Sequence, residues 1–299
     1  MRDVSHKVST KRVALARAEL KASPETMRAI REGKVPKGDP LPVAKVAAVM
    51  AAKRTTEWIP YCHNIPIEFV DVRFEVHEAG INVEVEVVSI AKTGVEMEAL
   101  TAASAAVLNL YDMLKAIDEE MEIGSVRLMK KTGGKSDFPA PNGWTSAVLV
   151  VSDRVSRGES KDVSGAILAA GLAELGGQVP GPTVVPDDVH AIQEAVTQWV
   201  AQGVDFILIT GGTGVGPRDI TPDSLSSIID KPLPGIAETF RSYSQERART
   251  ALLSRSVAGL AGKSVIISLP GSPAACKDAL NALFPAVLHA KEMIAGGGH

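Results

Sequence analysis

At 299 residues, with 45% hydrophobic and 22% charged positions and a formal net charge of −3, the chain is longer than one hydrophobic core usually organises and suits two globular domains of about 150 residues each. This balance excludes a disordered chain and a strongly basic nucleic-acid surface. Its two cysteines, Cys62 and Cys276, fall outside any zinc or Cys-x-x-Cys spacing, and no apolar run reaches about 18 residues, so the expectation is a cytoplasmic protein without disulfide, membrane span or nucleic-acid partner.

In chain order, Arg12 to Leu20 reads as a strand, and helical stretches follow at about Glu25 to Arg31 and Val43 to Trp58. Val70, Val72, Phe74 and Val76 alternate with polar residues. After Glu78-Ala79-Gly80, Ile81, Val83, Val85 and Val87 do the same, which predicts an antiparallel hairpin with one wet face. A helix from about Gly94 to Ile117 would carry Glu98, Thr101, Asp112 and Lys115 on one face and offer Leu100, Ala103, Val107, Leu110 and Leu114 to the core from the other. A short strand near Val126 to Met129 completes an α+β domain, an antiparallel sheet with helices on one face.

Phe138-Pro139-Ala140-Pro141-Asn142-Gly143 interrupts regular structure. The domains are therefore set at 1–138 and 146–299, with a linker over 139–145. Beyond it, Ala147 to Val151, Thr183 to Val185, Phe206 to Ile209 and Val265 to Ile267 are continuous apolar runs separated by helix-length segments. Strands buried on both faces read this way, so the second domain is predicted to be three-layer α/β with a mostly parallel sheet.

Ligands of such sheets bind beyond the carboxyl ends of the strands. Those ends here are Ser152-Asp153-Arg154, Pro186-Asp187-Asp188, Thr210-Gly211-Gly212-Thr213-Gly214 and Leu269-Pro270-Gly271-Ser272-Pro273. Glycines let backbone amides approach a phosphate, and nearby carboxylates can hold a magnesium ion that bridges its oxygens. Asp187 and Asp219 are the candidates for the metal, although Asp187 alone also suits a helix N-cap. These strings, with Pro217-Arg218-Asp219-Ile220-Thr221-Pro222, resemble the molybdopterin adenylyltransferases, the MogA/MoaB-like family, over nearly all of residues 145 to 299. The resemblance implies transfer of AMP from ATP to the terminal phosphate of molybdopterin, with pyrophosphate released. It assigns Asp187 and Asp219 to Mg2+, and Asp153, Gly211, Gly212, Thr213, Gly214, Arg218 and Ser272 to phosphate or nucleotide. The alternative is a non-catalytic pterin-binding or assembly module.

In the first domain, lysines recur beside glycines, as in Lys37-Gly38-Asp39, Lys92-Thr93-Gly94 and Gly133-Gly134-Lys135-Ser136, which suits an anionic ligand. Together with Ala51-Ala52-Lys53-Arg54-Thr55, Ile59-Pro60-Tyr61-Cys62-His63, Lys92 to Thr101 and Tyr111-Asp112-Met113, these strings resemble the cyclic pyranopterin monophosphate synthases, the MoaC family, from about residue 2 to 137. The resemblance implies conversion of a cyclised dihydro-GTP intermediate, (8S)-3',8-cyclo-7,8-dihydroguanosine 5'-triphosphate, to cyclic pyranopterin monophosphate and pyrophosphate, with no tightly bound cofactor. It assigns catalysis to Lys37, Asp112 and Lys115, with Lys115 as general acid/base. Substrate binding falls to Tyr61, Cys62, His63, Glu96, Met97, Glu98 and Lys135, with Arg17, Lys53 and Lys131 as phosphate contacts. Tyr61 stands where leucine is common in that family. Both families assemble around threefold axes, the first as hexamers and the second commonly as trimers, which implies a homo-oligomer that could also meet other molybdenum cofactor enzymes.

Overall fold

The computed structural model describes residues 1–134, 137 and 139–297, in two compact units, Met1–Asp137 and Phe138–His299. In the first unit, β1 (Thr10–Lys21), β2 (Phe69–His77), β3 (Gly80–Ala91) and β4 (Glu122–Thr132) form an antiparallel sheet in the order β2-β3-β1-β4. Strand alternation gives the sheet its two faces. Ala14, Ala16, Ala18 and Leu20 of β1 and Ile81, Val83, Val85 and Val87 of β3 are buried, while Arg17 lies on the open face between Glu75 (3.4 Å) and Glu84 (4.0 Å).

The helices of this unit are α1 (Pro24–Arg31), α2 (Pro40–Lys53), α3 (Thr55–Trp58) and α4 (Glu96–Leu114). Ser23 and Asp39 cap α1 and α2, each followed by a proline at the first helical position. Alanines at helical spacing, Ala44, Ala48, Ala51 and Ala52 on α2 and Ala99, Ala102, Ala103 and Ala106 on α4, are buried and let the two helices approach closely. The stretch expected as one helix to Trp58 is two, because the chain leaves helical geometry at Arg54 (φ −118°, ψ 19°). The expected polar face of α4 also divides. Asp112 and Lys115 are exposed, but Glu98 (4% exposed) and Thr101 (8%) are buried, since α4 packs both on the sheet and against α2 beside it.

In the second unit, β5 (Ser146–Val151), β6 (Thr183–Val185), β7 (Phe206–Thr210), β8 (Lys231–Pro232), β9 (Ala258–Ala261) and β10 (Ser264–Leu269) form a mixed sheet ordered β6-β5-β7-β10-β9-β8. The first four in that order are parallel; at the other edge β9 runs antiparallel to β10, and β8 antiparallel to β9. That edge was invisible in sequence, because Ala258-Gly259-Leu260-Ala261 lacks β-branched residues and Lys231-Pro232 is too short to show a period. Alternate residues feed two cores: Phe206 and Leu208 with Trp144 on one face, and Ile207 and Ile209 with Ile192 on the other. Helices α5 (Asp153–Ser156), α6 (Ser164–Glu174), α7 (Val189–Ala201), α8 (Thr221–Leu225), α9 (Pro234–Gln245) and α10 (Pro273–Leu283) connect the strands. Trp144 and Thr145, placed in the linker by sequence, are built into this unit. The Trp144 ring meets Phe206 edge to face at 5.5 Å, and Thr145 bridges Gln178.

Candidate functional site

In the first unit the predicted residues gather at opposite ends of α4. At its C-terminal end, Lys37 Nζ donates to Asp112 Oδ2 (2.9 Å) and to the Asp112 carbonyl (2.7 Å), and Lys115 Nζ meets Asp112 Oδ1 at 2.7 Å. Two ammonium groups thus sit on the negative end of the helix, where its last carbonyls favour cations. Lys115 first and Lys37 second hold the Asp112 carboxyl down at about 2, and Asp112 in turn raises Lys115. The trio is a charged, hydrogen-bonded unit that keeps a proton on Lys115 at neutral pH, but in one chain it lies half open to solvent.

At the other end are Glu96, Met97 and Glu98, with Lys131 of β4 at 3.4 Å from Glu96 and Lys53 at the close of α2. Burial pushes the Glu98 carboxyl up, and the charge of Glu96 adds to it. Cys62 sits close enough to feel Glu98, and burial raises its thiol, so it is not a reactive thiolate. His63 Nε2 bonds the Arg2 carbonyl at 2.7 Å, and Tyr61 is exposed. Glu98 and Asp112 are fourteen residues apart on one helix, about 21 Å along its axis. A single chain therefore does not bring its two clusters together. Arg17 joins neither, being occupied by two carboxylates on the open sheet face, and Lys135 lies outside the described residues.

In the second unit the strand ends converge. β5 has β6 on one side and β7 on the other, so the chain switches direction across the sheet where Ser152 and Gly211 follow their strands, the position at which open sheets bind ligands. A cavity of about 850 Å³ opens there, lined by Gly211 to Gly214, Asp219 and Ser272 among others. Gly211 has φ +109°, and any Cβ would run into the Val151 carbonyl oxygen, so only glycine fits. Thr221 holds the loop from behind: its Oγ1 donates to the Gly211 carbonyl (2.8 Å) and its amide to that of Gly212 (3.0 Å). Ser272 caps α10 through the Ala275 amide (3.2 Å).

Asp153, Asp187 and Arg218 form a linked cluster beside this cavity. Asp153 N donates to Asp187 Oδ2 (2.9 Å), Asp187 N donates to Asp153 Oδ1 (3.1 Å), and Arg218 reaches Asp153 Oδ2 (3.3 Å). The cap of α7 is Asp188, not Asp187. That leaves Asp187 Oδ1 against the glycine loop, 3.5 Å from where a Cβ of Gly212 would stand. Asp219 Oδ2 accepts from the Gly216 amide (2.7 Å) and lies on the cavity wall. Among the described residues no three His, Cys, Asp or Glu side chains form a metal cage. Two carboxylates flanking a glycine loop nevertheless fit magnesium, which takes one or two protein carboxylates and draws its other ligands from phosphate and water.

Sequence reasoning missed the supports Thr221 and Ser164, the latter donating to the Gly271 carbonyl at 2.8 Å, and the cavity residues Phe240, Ser244 and Asp278. Thr221 stood in a quoted motif. Asp278 left only one signal, its position on the helical face shared with Ala274 and Ala275.

The MoaC family matches residues 1–134, and the family described as "Probable molybdopterin binding domain" matches residues 147–289. The "Molybdenum cofactor biosynthesis bifunctional protein" of Chlorobaculum tepidum is 44% identical over 299 residues, covering 100% of this chain and 96% of its own. The protein of the same description from Synechococcus elongatus is 38% identical over 314 residues, covering 100% and 98%. The "Cyclic pyranopterin monophosphate synthase" of Brevibacillus brevis is 54% identical over 140 residues, covering 46% of this chain and 88% of its own.

Proposed function

The chain belongs to the family of bifunctional molybdenum cofactor biosynthesis proteins, and on that premise we propose that each unit catalyses one reaction on a pterin substrate, with the residues placed above doing the work. The first unit acts as a cyclic pyranopterin monophosphate synthase on the cyclised dihydro-GTP triphosphate. Its strand order and split β-α-β connections support a ferredoxin-like arrangement. Lys115, kept protonated by Asp112, delivers a proton, and Lys37 meets the phosphates as pyrophosphate is displaced.

The first site is completed by a second copy of the chain. Proton transfer needs water excluded, yet the trio is open and stands about 21 Å from the Glu98 cluster. Val43, Val46 and Met50, at helical spacing on α2, form an exposed apolar stripe suited to a neighbouring subunit, and Leu108 of α4 is exposed as well. The assembly proposed is a homo-oligomer with threefold symmetry.

The second unit transfers AMP from ATP to the phosphate of molybdopterin. A molybdopterin phosphate oxygen bonds the α-phosphorus, the bond to the β-phosphate oxygen breaks, and pyrophosphate leaves. This needs two polyanions held in line and their charge offset, more than covalent help. Gly211 to Gly214 present amides, Ser272 and the start of α10 face a second phosphate, and Asp219 and Asp187 would hold Mg2+, which supplies the positive charge. Asp153 and Arg218 position Asp187.

What carries this reading is that each half has its charged machinery in place, Lys37-Asp112-Lys115 in one and the carboxylate-flanked glycine loop in the other. Assaying both reactions on full-length Lys115→Ala and Asp219→Ala proteins tests it. Each should lose its own reaction by about 10²–10⁴-fold and keep the other at parental level. Adenylylation unaffected by Asp219→Ala would remove the metal assignment, and none in the parent would leave the second unit a pterin-binding module.

A further inference from the structure

We propose that the deep end of the second unit's cavity, where Asp278, Ser244 and Phe240 meet, reads the aminopyrimidinone edge of the pterin ring, with Asp278 as the residue that sets specificity for it. This deepens, and rests on, the adenylylation reading, which says only that a pterin phosphate binds. Three observations carry it. The first is placement: α10 turns Ala274, Ala275 and Asp278 toward the cavity, one helical face, with Ser272 at its cap. Asp278 stands six residues beyond Ser272, about 9 Å along the axis. A ligand with its phosphate at the start of α10 thus lays its ring toward Asp278.

The second is a buried hydroxyl. Ser244 of α9 is 3% exposed and lines the cavity, and it stands near enough to Asp278 to lower its carboxyl, yet its Oγ makes no hydrogen bond of adequate geometry there or elsewhere. Buried hydroxyls are nearly always paired, so one at a cavity wall points to a ligand. The third is the setting of the carboxylate. Burial pushes the Asp278 carboxyl up, opposed by the neighbouring Ser244 and Arg247, and Phe240 (1% exposed) closes the wall beside it. A half-buried carboxylate gains most from a ligand that offers it two donors.

The pterin edge does so: its ring N3–H and 2-amino group are adjacent donors that match the two carboxylate oxygens, and the 4-oxo group beside them can accept from Ser244. Adenine sets a donor next to an acceptor. One carboxylate oxygen would then face a lone pair, so this end rejects the base of ATP and leaves the glycine-loop end to the nucleotide. Hydrogen-bonding sites discriminate strongly because a mismatched ligand leaves buried groups unpaired.

The test uses the full-length protein, fluorescence titration with 6-hydroxymethylpterin and with 6-hydroxymethyllumazine, which carries 2-oxo in place of 2-amino, and KM for ATP in adenylylation. Asp278→Asn turns one acceptor into a donor. The parent should have a binding component that prefers the pterin at least tenfold; Asp278→Asn should lose it tenfold or more and favour the lumazine, and Ser244→Ala should weaken the pterin severalfold. KM for ATP should stay within twofold, and synthase activity should be unchanged, which shows that pterin binding at the first unit is untouched. If Asp278→Asn unfolds the second unit, as circular dichroism would show, Ser244→Ala decides through the same two probes. Equal effects on both probes, or a rise in KM for ATP instead, would overturn the proposal. Discrimination without any adenylylation would count against the adenylylation reading and leave the pterin seat standing.

Discussion

The two units place comparable sets of charged groups in opposite ways. In the second, a parallel sheet switches direction between β5 and β7, and a crevice opens there where three strand ends and Asp219 line one cavity, with the fourth strand end and its Asp187 beside it. In the first, an antiparallel sheet is covered on one face by helices, and its strand order offers no parallel switch point among the described residues. Its groups collect at the two ends of α4, about 21 Å apart. A fold with a switch point can complete a site within one chain; on the reading proposed above, the first unit completes its site by assembling.

The contrast can be broken or sharpened by substitution. The largest effect should come from Gly211→Ala. With φ at +109° and the Val151 carbonyl in the way, the loop must move, and adenylylation should fall at least about a hundredfold while synthase activity stays intact. Intact adenylylation would mean the glycine loop is not where ATP binds.

In the first unit, Asp112→Asn should reduce synthase turnover by about tenfold or more and change its pH profile. The Asp112 carboxyl, held at about 2, remains ionised down to acid pH and adds no acid limb above that. Because Asp112 raises Lys115, its removal lowers the Lys115 pKa, so the basic limb of turnover should move to lower pH. A limb that did not move would show that Lys115 is not the proton donor.

Thr221→Val should act more mildly, removing one buried hydrogen bond to Gly211, worth about 1 kcal/mol, and raising KM for ATP severalfold with little change in the first reaction. Smallest of all, Glu98→Gln should raise the melting temperature of the first unit by about 2–4 °C at neutral pH while lowering its activity. Glu98 has a raised pKa, so its ionised form costs the folded state above that pKa, and the cost vanishes as pH falls below the unfolded value. The gap between variant and parent should therefore close toward about pH 4. A gap independent of pH would assign the effect to packing instead.

How much was legible follows the same division. Periodicity found β2 and β3 because they alternate, and found β5, β7 and β10 because they feed two cores. It missed β8 and β9, whose residues carry no period. Motif residues were legible as types at spacings, so the glycine loop, Asp219 and the Lys37 string could be named. Their partners could not. That Asp153 and Asp187 exchange backbone bonds, and that Lys37 reaches across 75 positions to Asp112, depends on tertiary approach. Glu98 reads as a polar position on an amphipathic helix until tertiary packing buries it. Asp278 is one acid on a helix, and only a cavity with an unpaired serine gives it meaning.

The most direct measurement mixes two inactive proteins. Lys115→Ala and His63→Ala, each expected to lack synthase activity, are combined, dissociated and reassembled, alongside Asp219→Ala with Gly211→Ala assayed for adenylylation. If the first site is shared between chains, synthase activity should return to about a quarter of the parental value, the share of sites that receive both intact residues from different subunits. The second pair should regain nothing, since its cavity belongs to one chain. No recovery in the first mixture, or recovery in the second, would contradict the account.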